Sequence, residues 1–202
     1  MSDQHYIDNI KSQVASGMYD HLFVGKHDLV FLDIGANVGI VSIYAVPYCK
    51  RIVAVEPAPA TFEILKRNTK DYPMIECVNV ALTPMNGQHE FFVNDVNFTA
   101  SSTVNTYGTR IEVEGRNLLS ILSDYALSHV DVCKIDAEGA EGESLDYHNI
   151  YWAKHIVSTY YCETHNCPKS IWEDKLTAIV GNFVRCGYHQ IQIDGMAITA
   201  TR

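Results

Sequence analysis

The stretch Leu29-Val-Phe-Leu-Asp-Ile-Gly-Ala-Asn-Val-Gly39 decides the fold. Its first six residues are apolar except for Asp33. Such a run marks a strand buried on both faces rather than one alternating between core and water. The glycine that follows, Gly35, lets the chain turn tightly and lets another group approach where a Cβ would stand. An apolar helix begins at about Val38, and Pro47 helps to end it. Strand, tight turn and helix in that order form the opening unit of a parallel sheet.

Working outward, the same alternation continues with a strand over Arg51 to Glu56, a helix over Ala60 to Lys70 and a strand over Met74 to Val80. A turn at Asn86-Gly87 leads to a strand over His89 to Val93. The stretch Asn94 to Arg110 is rich in Asn, Ser and Thr, and its length is that of a lid or binding loop or of an exposed polar connection. Beyond it come a strand at Ile111 to Val113, a helix over Leu118 to Leu127, a strand over Val130 to Asp136 and a helix over Glu141 to Trp152. A strand over His155 to Cys162 and a helix over Pro168 to Val184 complete the alternation. The last two strands, Tyr188 to Ile193 and Met196 to Thr201, flank an Asp194-Gly195 hairpin turn. Upstream of the decisive strand, Ile7, Ile10, Val14 and Met18 recur at helical spacing, so residues 1–20 read as an amphipathic helix. The expectation is one α/β domain over residues 1–202, with helices on both faces of a mostly parallel sheet that ends in an antiparallel hairpin.

Composition narrows the partners. The 202 residues are 47% hydrophobic and 19% charged, enough to fill one core, and the net charge is −9. That charge repels polyanions, so nucleic acid is not an expected partner. The most apolar stretch, Val38 to Tyr48, is broken by Ser42 and Pro47 and falls short of the roughly 18 residues of a membrane span. The first residues carry Asp3 and Asp8 and no basic, apolar leader, so the expected location is cytoplasmic, as a monomer or homodimer. Cys49, Cys77, Cys133, Cys162, Cys167 and Cys186 are scattered through apolar segments, which suits reduced thiols better than a disulfide framework.

In an open parallel sheet, ligands bind beyond the carboxyl ends of the strands. Two cofactor readings fit the first strand end. A dinucleotide fold asks for G-x-G-x-x-G, so that pyrophosphate meets backbone N–H groups. Here Gly35-x-Asn37-x-Gly39 follows Asp33, a carboxylate that would face pyrophosphate unfavourably but suits the ammonium and sulfonium charges of S-adenosylmethionine. Glu56 ends the second strand, where a carboxylate can accept hydrogen bonds from ribose hydroxyls. A methyl donor is the favoured cofactor. An NAD(P)-dependent oxidoreductase and a cofactor-binding module without catalysis are the alternatives.

Four blocks occur in order: FLDIGANVGIVSIYA at 31–45, VAVEPAPATFEILKRN at 53–68, VCKIDAEGAEGESL at 132–145 and YCETH at 161–165. Together they resemble the FkbM-type family of S-adenosylmethionine-dependent methyltransferases. The resemblance implies a class I methyltransferase (Rossmann-like) fold, with seven strands of which the last is antiparallel. It also implies O-methylation of a hydroxyl on a sugar, polyketide or similar small molecule or glycan. Carried over by position, it sets the methionine part of the cofactor against Asp33, Gly35, Ala36, Asn37 and Gly39, and the ribose on Glu56. Adenine falls near Pro57 and the end of the third strand, where Asn79-Val-Ala81 offers mainly backbone and an amide. Ser101 and Ser102 match a serine position in the family's polar loop.

Asp136, Glu138, Glu141, Glu143 and Asp146 fall within eleven residues that hold no Lys or Arg. Acids in a first helical turn are favoured by the helix dipole, and Glu143 and Asp146 read as solvent-facing. Asp136 and Glu138 leave a central strand beside the expected methyl group. Methyl transfer to oxygen needs alignment of donor and acceptor and a destination for the hydroxyl proton. The candidates for proton acceptor or substrate orienter, in order, are Asp136, His165, then Glu163 and Glu138. The oxygen-rich set Asp136, Glu138, Glu163 and His165 also suits a hard cation, and Cys162, His165 and Cys167 form C-x-x-H-x-C. Metal-free helix-start acids are commoner, and a structural zinc site asks for four ligands, so no metal is expected. The sequon Asn97-Phe-Thr99 would be idle in the cytosol.

Overall fold

The computed structural model describes residues 8, 11–93, 108–164 and 169–202. Its strands, in chain order, are β1 (Leu29–Ile34), β2 (Cys49–Val55), β3 (Ile75–Val78), β4 (Ala81–Leu82), β5 (Gly87–Val93), β6 (Thr109–Arg116), β7 (Val130–Ile135), β8 (Val157–Glu163), β9 (Gln190–Asp194) and β10 (Ala197–Thr201). The helices are α1 (Asp20–Phe23), α2 (Ile40–Ala45), α3 (Pro59–Thr69), α4 (Leu118–Asp124), α5 (Glu141–Ser144), α6 (Tyr147–Ala153) and α7 (Lys169–Arg185).

β1 is buried along its whole length because it is an interior strand, flanked on both sides, of a seven-stranded sheet ordered β3-β2-β1-β7-β8-β10-β9. It pairs in parallel with β2 and β7. β10 runs antiparallel to both its neighbours, which is the terminal hairpin expected from the sequence. The hairpin turn is centred one residue later than expected, on Gly195-Met196 between the paired Asp194 and Ala197, and Gly195 takes the positive φ of +57°.

Alternation of side chains along the strands builds two cores. One face carries Leu32, Ile34, Val53, Ile135 and Tyr160 against Ile121 of α4, Ile150 of α6 and Phe183 of α7. The opposite face carries Phe31, Ile52, Val132 and Tyr161 against Tyr19, Leu22, Phe23 and the α2 residues Val41 and Ala45. Phe23 is fully buried, with its ring edge-on to Phe31 at 5.0 Å. Burial of such a ring contributes roughly 1.5–3 kcal/mol.

Four expectations are corrected. The segments His89 to Val93 and Ile111 to Val113 do not extend the main sheet; β5 and β6 pair with each other antiparallel, and with β4 they form a separate sheet ordered β4-β6-β5. The strand expected over Met74 to Val80 accordingly stops at Val78, and Ala81–Leu82 passes to the second sheet. The helix expected over Glu141 to Trp152 is two helices, because the Asp146 side chain accepts from the Asn149 N–H at 2.7 Å and starts α6 afresh. The helix expected over residues 1–20 ends among the described residues at 15, and Gly17 turns the chain at φ +81°. Residues 1–7 and 9–10 lie outside the described residues, as do 94–107 of the expected lid, with Ser101, Ser102 and the sequon. Five described cysteines, Cys49, Cys77, Cys133, Cys162 and Cys186, are free thiols, and Cys167 lies outside the described residues.

Candidate functional site

The carboxyl ends of β1, β2, β7 and β8 carry most of the residues singled out in the sequence. At β1 the chain turns through left-handed backbone at Gly35 (φ +77°), Asn37 (φ +52°) and Gly39 (φ +89°). A Cβ at Gly35 would stand 1.8 Å from the carbonyl oxygen of Asp136, so only glycine lets the turn after β1 press against the end of β7. A Cβ at Gly39 would meet Leu65 of α3 at 2.7 Å. The Asn37 side chain caps its own turn by accepting from the Val38 N–H at 2.8 Å.

Glu56 ties this turn to the next one. Its Oε2 accepts from the Asn37 N–H at 3.0 Å and its Oε1 from the Ala58 N–H at 2.9 Å, at 6% exposure. Burial pushes its carboxyl up to about 7, against the lowering effect of those two backbone donors and of Lys134. The Asn79 amide donates to the carbonyls of Glu56 and Pro57 at 2.8 and 2.9 Å, so it fixes the backbone of the turn. Ala36 is buried beside Ala54 and Leu65, and Ala81 is buried against Ala58, Phe91 and Val113.

Asp33, Lys134 and Tyr161 are direct cross-strand neighbours on β1, β7 and β8 and share one face of the sheet. Asp33 is fully buried; the Ser42 hydroxyl donates to its Oδ2 at 2.6 Å, and Lys134 Nζ lies 3.4 Å from its Oδ1. Lys134 Nζ is also 3.4 Å from Asp136 Oδ2 and 3.4 Å from the Gly35 carbonyl. Burial opposes the charge of Lys134, but Asp136, Asp33, Tyr19 and Glu163 outweigh it and hold the ammonium well above the usual lysine range. Tyr19, from the segment before α1, donates its hydroxyl to Glu163 Oε1 at 3.0 Å, and its ring meets Tyr161 edge-on at 5.5 Å. Burial raises the phenols of both tyrosines, assisted by the Glu163 carboxylate.

The acidic run after β7 divides its work. Asp136 faces Lys134, and Glu138 sits half-buried in left-handed backbone at φ +50°. Glu141, 1% exposed, accepts from the N–H groups of Ala137 (2.8 Å) and Gly139 (2.9 Å) and so closes the loop. Glu143 faces solvent, and Asp146 caps α6. His165 lies outside the described residues. Among the described residues no group of His, Cys, Asp and Glu is arranged to hold a metal ion.

An open cleft of about 270 Å³ lies on the same face, lined by His21, Tyr161, Gln192, Asp194 and Thr199 among others. Register carries the row Asp33, Lys134, Tyr161 directly on to Thr199 and Gln192, so Tyr161 is the wall between the buried cluster and the cleft. His21 Nε2 lies 3.2 Å from Thr199 Oγ1, joining the N-terminal segment to the cleft floor.

Sequence reasoning missed Lys134, Ser42 and Tyr19. For Lys134 a signal was present: a lysine flanked by Cys133 and Ile135 in a strand buried on both faces must bring its partners with it. Tyr19 had none, since its contact to Glu163 spans 144 positions of chain.

A family model described as the methyltransferase FkbM domain matches residues 33–189. No curated protein matches the chain. Among solved structures, the chain is similar to a methyltransferase FkbM from Methylobacillus flagellatus KT at 14% identity and a TM-score of 0.58. That match covers 87% of this chain and 44% of the other. A precorrin-6y C5,15-methyltransferase from Geobacter metallireducens GS-15 is similar at 18% identity and a TM-score of 0.53, over 90% of this chain and 85% of that one. An Aeropyrum pernix fibrillarin in complex with natively bound S-adenosyl-L-methionine is similar at 12% identity and a TM-score of 0.51, over 87% and 67% of the two chains.

Proposed function

The chain belongs to the FkbM methyltransferase family, and from that premise we propose that it transfers a methyl group from S-adenosylmethionine to a hydroxyl of a small molecule or glycan. The observation that carries this reading is the junction at Gly35. The turn of Asp33, Gly35, Ala36, Asn37 and Gly39 is pressed onto the end of β7, and Glu56 locks its Asn37 amide. The charges fit the donor: among the described residues the carboxylates of Asp33, Asp136 and Glu163 gather around the ammonium of Lys134, an environment that suits a cation and repels a pyrophosphate.

When bound, S-adenosylmethionine supplies an electrophilic methyl on a sulfonium. In the proposal the turn 33–39 holds its amino-acid portion, and Glu56 accepts from the ribose with the lone pairs left after its two backbone bonds. Pro57 and Ala81 lie on the adenine side. Asp136, Glu138 and Glu163 stand on the acceptor side, and His165 follows Glu163 in the sequence. Asp136, held against Lys134, is a firm acceptor that orients the incoming hydroxyl. The acceptor occupies the cleft beyond Tyr161, whose mixed lining offers His21, Gln192, Asp194 and Thr199 as hydrogen-bonding groups for a hydroxylated molecule.

The test combines binding with transfer. Calorimetry should give a dissociation constant for S-adenosylhomocysteine, and a library of hydroxyl-bearing acceptors should take up label from methyl-labelled donor. Binding without transfer to any hydroxyl would overturn the O-methylation reading and leave the donor site standing.

A further inference from the structure

Lys134 is 2% exposed, and its ammonium meets three oxygens at 3.4 Å, each from a different segment: Asp33 Oδ1 at the end of β1, the Gly35 carbonyl in the turn after it, and Asp136 Oδ2 beyond β7. Tyr19 of the N-terminal segment and Glu163 and Tyr161 of β8 face the same cluster. A buried ion pair is seldom more stable than apolar packing of the same volume, so stability alone is a poor reason for a lysine at this position. Held as an ammonium, it has no lone pair with which to take a proton from an acceptor. What it does do is fasten the donor turn to the acceptor-side carboxylate.

We propose that Lys134 is a positioning residue that joins the Gly35 turn to Asp136, acting through Asp33, Asp136 and the Gly35 carbonyl rather than on the reacting atoms. The proposal rests on the reading that residues 33–39 hold the donor. Its consequence is charge coupling. Without Lys134, the fully buried Asp33 and the partly exposed Asp136 become two carboxylates facing the space the ammonium held, and their repulsion pushes Asp136 away from the turn. The turn then loses its fixed geometry.

The experiment is a double-mutant cycle of Lys134→Met and Asp136→Asn, read by calorimetric binding of S-adenosylhomocysteine and by thermal melting without ligand. Met keeps most of the lysine stem and removes its charge. Lys134→Met should weaken S-adenosylhomocysteine at least ten-fold while the protein stays folded, and Asp136→Asn alone should stay within about three-fold of wild type. The double variant should recover part of that loss, because the Asp33–Asp136 repulsion is gone, and should stay weaker than Asp136→Asn, because the tie from Lys134 to Asp33 and the Gly35 carbonyl is still missing. A Lys134→Met protein that binds within three-fold of wild type, or effects that simply add, would overturn the proposal. If Lys134→Met does not fold, the double variant decides: folding and binding support the coupling, and failure to fold reduces Lys134 to a structural role. If wild type binds no S-adenosylhomocysteine, the donor reading fails instead, and the melting cycle still reads the Lys134–Asp136 coupling.

Discussion

Glu56→Gln removes a buried charge while keeping nearly the same shape, and its effect is calculable from the structure. Burial raises the Glu56 carboxyl from 4.5 to about 7. A raised carboxyl means that the folded chain holds this proton more tightly than the unfolded one. The stabilisation is therefore full below pH 4.5, declines as pH rises toward 7 and is gone above it. The shift corresponds to about 3 kcal/mol of stability lost across that window. Gln cannot ionise, so denaturant melts at steps from pH 4.5 to 8 should show the wild type falling relative to the variant by about that amount. Against this, Gln sets an NH₂ opposite one of the N–H groups of Asn37 and Ala58, which costs about 1–3 kcal/mol at every pH. Cofactor binding runs the other way. Ribose hydroxyls donate to the ionised carboxylate, so wild-type affinity for S-adenosylhomocysteine should rise by up to ten-fold per pH unit below about 7 and then level. The variant should bind weakly and without that slope. Parallel pH profiles in the two proteins, or equal affinity at pH 8, would show that Glu56 neither titrates in this range nor contacts the ribose.

Three further outcomes follow from the geometry. Gly35→Ala sets a Cβ 1.8 Å from the Asp136 carbonyl in backbone at φ +77°, so it should cost at least about 3 kcal/mol in chemical melts and abolish S-adenosylhomocysteine binding by calorimetry. Asp136→Asn should keep that binding and lower methyl transfer to a confirmed acceptor by about 10²–10⁴-fold, as expected for a group that handles or orients the hydroxyl proton. Thr199→Trp fills the floor of the cleft and should raise KM for the acceptor at least ten-fold while the S-adenosylhomocysteine dissociation constant is unchanged; a shift in the latter alone would place the cleft on the donor side.

The local signals in the sequence were the ones that carried through. β1 is legible because a strand buried on both faces must be apolar throughout, and Asp33 stands out within it for the same reason. Gly35 marks a tight turn after the strand, and the structure makes that turn through left-handed backbone at Gly35, Asn37 and Gly39. The terminal hairpin is legible from alternation around Gly195. What escaped depends on distance in the chain. Nothing in His89 to Val93 says that its partner is β6 rather than the main sheet, since both alternatives present the same pattern of side chains. The acidic run after β7 reads as one cluster, yet Glu141 closes a loop and Asp146 caps a helix, because those roles are set by which N–H groups lie within reach. The acids at the strand ends are legible in the sequence, but the ammonium held among them is not.

The central claim is that the turn 33–39 and Glu56 hold S-adenosylmethionine rather than a dinucleotide. Thermal melting of the 202-residue chain with S-adenosylhomocysteine and, separately, with NAD⁺ tests it most directly. At a hundred-fold excess over its dissociation constant, a ligand of the folded state adds about 2.7 kcal/mol. For a chain of this size that raises Tm by roughly 5–10 °C. That rise is expected with S-adenosylhomocysteine, none with NAD⁺, and a clearly smaller one with S-adenosylhomocysteine in Glu56→Gln at the same concentration. A rise with NAD⁺ and none with S-adenosylhomocysteine would contradict it.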